Sequence, residues 1–175
     1  MKRKFLFLVL AIAMMLTLCL AVNAMDGSGT ESDPYLVETA EDFLSINKNL
    51  SAHYKLMASI AVSANGNAVI DASDNTPFSG TFDGNGYTID VTVVGATSNT
   101  NTFDSLFSVV SGKIKNLTVT GSISGSDKVS GIVGKLKESG NVDRCINYAT
   151  VSGRKNVGGI VGLLVGNATI TNCVN

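Results

Sequence analysis

The chain has 175 residues, a formal net charge of −1, 45% hydrophobic and 15% charged residues, a single histidine and no tryptophan. With so few charges, and no basic cluster beyond the first four positions, neither nucleic acid nor an anionic membrane surface is an expected partner. One histidine and three cysteines also leave a zinc site without its ligand set and spacing.

In chain order, Met1-Lys2-Arg3-Lys4 is basic, Phe5 to Val22 is apolar, and Val22-Asn23-Ala24 supplies small residues. This is the pattern of a secretory signal peptide over 1–24, with cleavage expected after Ala24 and no membrane insertion of the processed chain. A retained membrane anchor is the alternative, because the apolar run approaches the length that spans a bilayer. Lipid attachment at Cys19 fits less well, since the residue before it is Leu18 rather than a small one. Residues 25–175 hold all 14 acidic and 10 of the 13 basic residues, a net charge of −4. Their Ser, Thr, Val and Ile favour strands, and their Gly and Asn favour turns.

Residues 25–62 are expected to form a strand–helix–strand cap. Pro34-Tyr35-Leu36-Val37 is extended in character. Thr39 can cap a helix from Ala40 to about Asn49, with Glu41 and Asp42 in its first turn and Phe43, Leu44 and Ile46 as its buried face. His53 to Val62 resumes as a strand. Residues 63–77 are polar and turn-rich, which predicts a long loop, and 95–102 predicts another. Between them Thr81–Ile89 reads as strand, tight turn, strand, with Asp83-Gly84 and Asn85-Gly86 as the turn dipeptides.

From position 113 the chain repeats itself every 28 residues without a gap, over 113–140 and 141–168 with a partial copy at 169–175. Ile114, Val142 and Ile170 coincide, as do Leu117, Cys145 and Cys173. Val129 meets Val157, and Gly131-Ile132-Val133-Gly134 meets Gly159-Ile160-Val161-Gly162. Upstream, Ile89-Asp90-Val91 lies 28 residues before Leu117-Thr118-Val119, and Ser105-Leu106-Phe107 echoes Gly131-Ile132-Val133 if two residues are added. A unit of this size holds two or three short strands but no self-sufficient core, so copies must stack. The fold expected over 63–175 is therefore an all-β, parallel β-helix-like solenoid with about 28 residues per coil, and the handedness rule favours a right-handed path. An antiparallel sandwich with chance-similar hairpins is the competing reading.

These segments resemble the GLUG-motif family of bacterial exported and cell-surface proteins. Ser130-Gly131-Ile132-Val133-Gly134 and Gly158-Gly159-Ile160-Val161-Gly162 are similar to its short repeat. Gly29–Val37, Ala40–Leu44, Tyr54–Leu56 with Ile60, and Phe78–Ile89 resemble its usual lead-in. The resemblance covers about 27–175 and implies a β-solenoid-like fold on exported proteins, sometimes beside adhesive or peptidase domains. It implies no activity for the repeats and carries over no catalytic residue.

The inventory for chemistry is short. A serine hydrolase triad would have to use His53, and no Gly-x-Ser-x-Gly context accompanies it. Asp71, Asp74, Asp83, Asp90 and Asp104 are the carboxylates to test for glycoside hydrolysis or Ca²⁺, although Asp71, Asp74 and Asp83 sit where Asp is common as a turn former. Cys145 and Cys173 fall on adjacent coils, where stacked side chains favour a thiol ladder over a disulfide. Asn147 and Asn175 predict stacked amides. Asn49-Leu50-Ser51, Asn116-Leu117-Thr118 and Asn167-Ala168-Thr169 match the glycosylation pattern at the rate expected of so Asn/Ser/Thr-rich a chain. Lys113, Lys115, Lys135 and Lys137 are expected to face solvent. No catalytic, cofactor or metal residue is assigned. The function expected is a non-enzymatic secreted or cell-surface module, for adhesion or spacing. A surface glycan, a host or neighbouring protein, or another copy at an open solenoid end are its expected partners. A polysaccharide-active enzyme, or a fragment of a larger surface protein or peptidase, is the alternative.

Overall fold

The computed structural model describes residues 25–95 and 102–175. The expected signal segment, Cys19 and most of the 95–102 loop lie outside the described residues.

Alternation of apolar and polar residues at period two sets the longer strands, most plainly at Thr88–Gly95. The chain opens with β1 (Tyr35–Val37) and α1 (Ala40–Ser45), then a 3₁₀ turn at Ile46–Lys48, β2 (Tyr54–Leu56) and β3 (Ile60–Gly66). β4 (Thr81–Asp83), β5 (Thr88–Gly95) and β6 (Phe107–Val110) follow. The next coil contains β7 (Lys113–Lys115), β8 (Thr118–Ser124), β9 (Asp127–Ser130) and β10 (Val133–Leu136). The last holds β11 (Asn141–Asp143), β12 (Ile146–Asn147), β13 (Thr150–Ser152), β14 (Lys155–Gly158) and β15 (Val161–Leu164), and β16 (Thr169–Thr171) begins another.

Each strand pairs in parallel with its counterpart one coil away. The first sheet runs β1-β2-β4-β7-β11-β16, the second β3-β5-β8 with β12 and β13, the third β6-β10-β15, and β9 pairs β14. The fold is the expected β-solenoid. From β7 onward the register is 28 throughout: Ile114↔Val142↔Ile170, Val119↔Asn147, Val129↔Val157 and Val133↔Val161. Like side chains therefore form ladders, and the inward ladders fuse into one core.

The corner between the first and second sheets depends on left-handed backbone. Asn116, Arg144 and Asn172 have φ of 54°, 51° and 54°. Asparagine tolerates this region better than most residues. Here its amide also bonds across coils: Asn116 Nδ2 donates to Asp83 Oδ1 at 2.9 Å, and Arg144 Nε donates to Asn116 Oδ1 at 2.9 Å. Upstream, the same corner is made by Gly84-Asn85-Gly86-Tyr87, two residues longer than Asn116-Leu117. The strand–turn–strand expected there is present, and it joins two sheets. The longer corner corrects the upstream register: Ile89 pairs Val119, not Leu117. Phe107 pairs Val133, as the two-residue adjustment to the repeat anticipated.

The expected loop at 63–77 is loop only in part. β3 continues to Gly66, and Ala68 to Ile70 are buried. Ile70 and Phe78 form bridges to Phe107 and Val110, adding a row to the third sheet. Polar composition hid this because the short run Ala68-Val69-Ile70 between Asn67 and Asp71 supplies no period, yet Ile70 enters the core completely. Between the bridges, residues 71–77 arch over the outside of β6, where Ser108 Oγ donates to the Ala72 carbonyl at 2.6 Å.

Near the N-terminus the core is aromatic. Phe43 meets Phe82 and Phe107 edge-on at 5.4 and 5.7 Å, and Phe78 lies 5.3 Å from Phe107. Phe43 arrives there on α1, whose Thr39 makes a full capping box with Asp42. Phe43 and Ile46 are buried as expected, but Leu44 is 45% exposed, because the one-and-a-half-turn helix presents only a narrow face to the coil. The single strand expected over 53–62 is two strands on two sheets, broken at 57–59 by a corner. The 62/63 boundary between cap and repeats falls inside β3.

Candidate functional site

Two of the three principal sheets present an outer face to solvent, and these faces are where a partner can be met. On the first sheet the outward row runs Lys55, Asp83, Lys115, Asp143, Thr171, one residue per coil. The signs alternate, so each charge sits beside its opposite at the strand spacing. Lys115 Nζ lies 3.1 Å from Asp83 Oδ2, and Arg144 Nη1 lies 2.6 Å from Asp143 Oδ2. Burial pushes the Asp83 carboxyl up, but hydrogen bonds from Asn116, the Asn85 N–H and Lys115 outweigh it and hold the pKa below the usual carboxylate value. Donation from Asn172 and Thr171, then the charges of Arg144 and Lys113, lowers that of Asp143.

His53, Lys55, Thr81, Asp83, Lys113 and Lys115 line a shallow groove of about 230 Å³ on this face, with Glu31 at its edge. The hydroxyl-bearing Thr81 lines the groove with His53, and no serine or cysteine is among its lining residues. Asp71 and Asp74 share a second hollow of about 330 Å³ beside Asn67, Thr102 and Phe103. Asp74 Oδ1 is held by Lys135 Nζ at 2.7 Å, and Lys137 Nζ donates to the Asp74 carbonyl at 2.9 Å. This corrects the solvent-facing role expected of Lys135 and Lys137. Their side chains are only 20% and 19% exposed, because the arch over the third sheet reaches out and is clamped by them.

The five candidate carboxylates are thus dispersed: Asp83 is on the first sheet, Asp90 on the second, and Asp71 and Asp74 are in the arch. Asp104 is inside. It pairs Val129 in the ladder that continues to Val157, and its carboxylate is fully buried with neither oxygen in good hydrogen-bond geometry. A Cβ on Gly125 would strike it, just as a Cβ on Gly153 would strike Val129. The carboxylate therefore occupies a valine slot. Burial pushes its pKa up to about 6, and the Ser126 backbone N–H offsets only part of that rise. Among the described residues no group of three or more His, Cys, Asp or Glu could hold a metal ion.

Cys145 and Cys173 are free thiols, and the Cys145 backbone N–H points at Cys173 Sγ at 3.5 Å, as a ladder requires. Burial raises Cys145 to a pKa of about 12, which leaves it protonated and unreactive. The amide ladder is present: Asn147 Nδ2 donates to Asn175 Oδ1 at 2.8 Å.

The second sheet is different. Its outward rows are Ala61, Asp90, Thr120, Tyr148, then Ser63, Thr92, Ser122, Thr150, and then Asn65, Val94, Ser124, Ser152. Asp90 is the only charged member of these rows. Sequence reading did not single out Tyr148, which is 69% exposed in the Thr120 row. The 28-residue offset from Thr120 was the signal that places it.

No family model matches the chain. It is similar to a stretch of halomucin from Haloquadratum walsbyi, 31% identical over 151 aligned positions. The match covers 65% of this chain and spans only 2% of halomucin. A solved chain from Bacteroides ovatus, provisionally named an immunoglobulin A1 protease, is 15% identical with a TM-score of 0.44, covering 84% of this chain and 76% of that one.

Proposed function

We propose that this chain is a non-enzymatic repeat module of an exported protein, presented at the cell surface and acting in adhesion or as a spacer. The observation that carries the reading is the way its charged side chains are occupied. On the first sheet Lys115 pairs with Asp83 and Arg144 with Asp143, and over the third Lys135 and Lys137 clamp an arch, leaving faces suited to broad contact. The similarity to a stretch of halomucin supports placement on a surface or outside the cell, as does the signal-like start. Membership of the GLUG-motif family belongs to the same proposal. The partners proposed are a surface glycan, a host or neighbouring protein, or a second copy of the chain. Among the described residues no helix is long and apolar enough to cross a membrane.

The enzymatic alternative draws on the hollow shared by Asp71 and Asp74, since paired carboxylates are what glycoside hydrolysis needs. Occupation of Asp74 by Lys135 counts against it. The test is to express the chain with its own N-terminus in a bacterial host, locate it by surface proteolysis and N-terminal sequencing, and assay beads carrying it for cell attachment. Exposure of a chain beginning at Met25, with attachment or inert display, supports the reading. Retention inside with Met1 intact, or release of reducing or unsaturated sugar ends by the purified protein, overturns it.

A further inference from the structure

The second sheet's outer face carries a recognisable chemistry that its neighbour lacks. Tyr148 is a large amphipathic ring left 69% exposed on a strand, where it contributes little to the core. One coil before it stands Thr120, whose Oγ1 donates to Asp90 Oδ1 at 3.3 Å and so orients the exposed carboxylate of the coil before that. Thr92 and Ser122 continue the hydroxyl surface beside them.

Between these groups the backbone is shaped to leave space. Gly121 has φ of 99°, and a Cβ there would strike the Val91 carbonyl oxygen and Asp90 Oδ1. A side chain is thus excluded beside Asp90, and the kink ends β12 and restarts the pairing as β13, so that Tyr148 stands at the break. The outward row thus sets a carboxylate, a hydroxyl and an aromatic ring one after another on successive coils, with Gly121 beside them bearing no side chain.

The charge pattern selects the occupant. A polyanion would meet Asp90 and no cation in these rows, and a folded protein partner would want a larger apolar centre than Tyr148 and the separate Val94 supply among the hydroxyls. A pyranose ring offers an apolar face to stack on a tyrosine and a rim of hydroxyls for a carboxylate and threonines to bond. We infer that the face formed by β3, β5, β8, β12 and β13 binds an uncharged polysaccharide, with Tyr148 as the stacking platform and Asp90 and Thr120 as the hydroxyl-binding pair. This deepens the surface-module reading and rests on it.

The experiment is retention of the purified full chain on an insoluble neutral glucan and on an insoluble polygalacturonate, each with and without about 0.5 M NaCl, which screens exposed charges within a few ångströms. Expected is retention on the neutral glucan that survives salt, falls about tenfold or more in Tyr148→Ala, is kept in Tyr148→Phe, and weakens in Asp90→Asn. Lys55→Ala/Lys113→Ala on the other face should bind like the parent. All four variants alter partly or fully exposed side chains, and circular dichroism confirms their folding. Absence of retention on the neutral glucan overturns the inference, as does retention unaffected by Tyr148→Ala. Salt-sensitive binding to polygalacturonate that is lost in the lysine variant also overturns it, and moves the site to the charged groove. In each of those cases surface display and bead attachment, measured separately, still decide the module reading.

Discussion

Asp104 shows how one residue can oppose the pattern around it. Its ladder partners are Val129 and Val157, and its slot against Gly125 is the one Val129 fills against Gly153. A buried, poorly bonded carboxylate costs free energy while ionised, and its pKa of about 6 lies above the ordinary carboxylate value. The folded state therefore prefers the proton, so this group's contribution is favourable at acid pH and is lost as pH rises through about 6. Asp104→Val should stabilise the protein at pH 7.5 by about 1–3 kcal/mol, the range for relieving an unsatisfied buried polar group. It should also abolish the fall in stability expected of the parent between about pH 4.5 and 7.5. Urea unfolding at both pH values measures this; an unchanged pH slope in the variant would reject it. Cys145 and Cys173 offer a second residue-scale check. A thiol reagent should label Cys173 in the native protein and leave Cys145 unlabelled until denaturant is added, since Cys145 is fully buried and protonated and Cys173 is partly open.

For the elements, the corners matter more than the strands. Three residues of β7 make a weak strand alone, yet β7 is fixed between β4 and β11 because Asn116 turns the chain sharply and bonds Asp83 one coil back. Asn116→Ala places an alanine at positive φ and removes the amide, and should cost about 1–3 kcal/mol. Asn116→Gly restores the backbone freedom alone and should recover part of that loss, so comparing the two melts separates dihedral from hydrogen bond. Equal melting of the two variants would place the whole effect in the amide. The arch at 71–77 behaves as an element too: it is held by Ser108 beneath and by Lys135 and Lys137 from the next coil.

Across the whole molecule, burial grades along the solenoid axis. Ile114 and Val142 are fully buried, while Ile170 in the same ladder is 41% exposed. The same substitution should therefore cost differently by position. Ile114→Ala is expected to lose about 2–5 kcal/mol, as large-to-small changes in packed cores do. Ile170→Ala should lose under about 1 kcal/mol, as partly exposed sites do. Matching losses in denaturant midpoints would mean the last ladder position is covered in solution. The aromatic cluster of Phe43, Phe78, Phe82 and Phe107 closes the opposite side of the stack, with α1 supplying Phe43.

The repeat and the ladders it implies were legible in the residues alone. A 28-residue offset between Ile114, Val142 and Ile170, or between Asn147 and Asn175, is a statement about stacking, because period-two strands in parallel register must bring equal positions together. The capping box at Thr39 was equally legible, since Thr39 and Asp42 satisfy the helix end locally. Features that depend on neighbours far along the chain emerged only on folding. A two-residue longer corner slides Ile89 from Leu117 to Val119, and Ile70 becomes core only because Phe107 waits beside it. Asp104 enters a valine slot because its bridge to Val129 has an offset of 25 while Phe107↔Val133 has 26. That single-residue slip reverses which side chain points inward, and no local pattern records it.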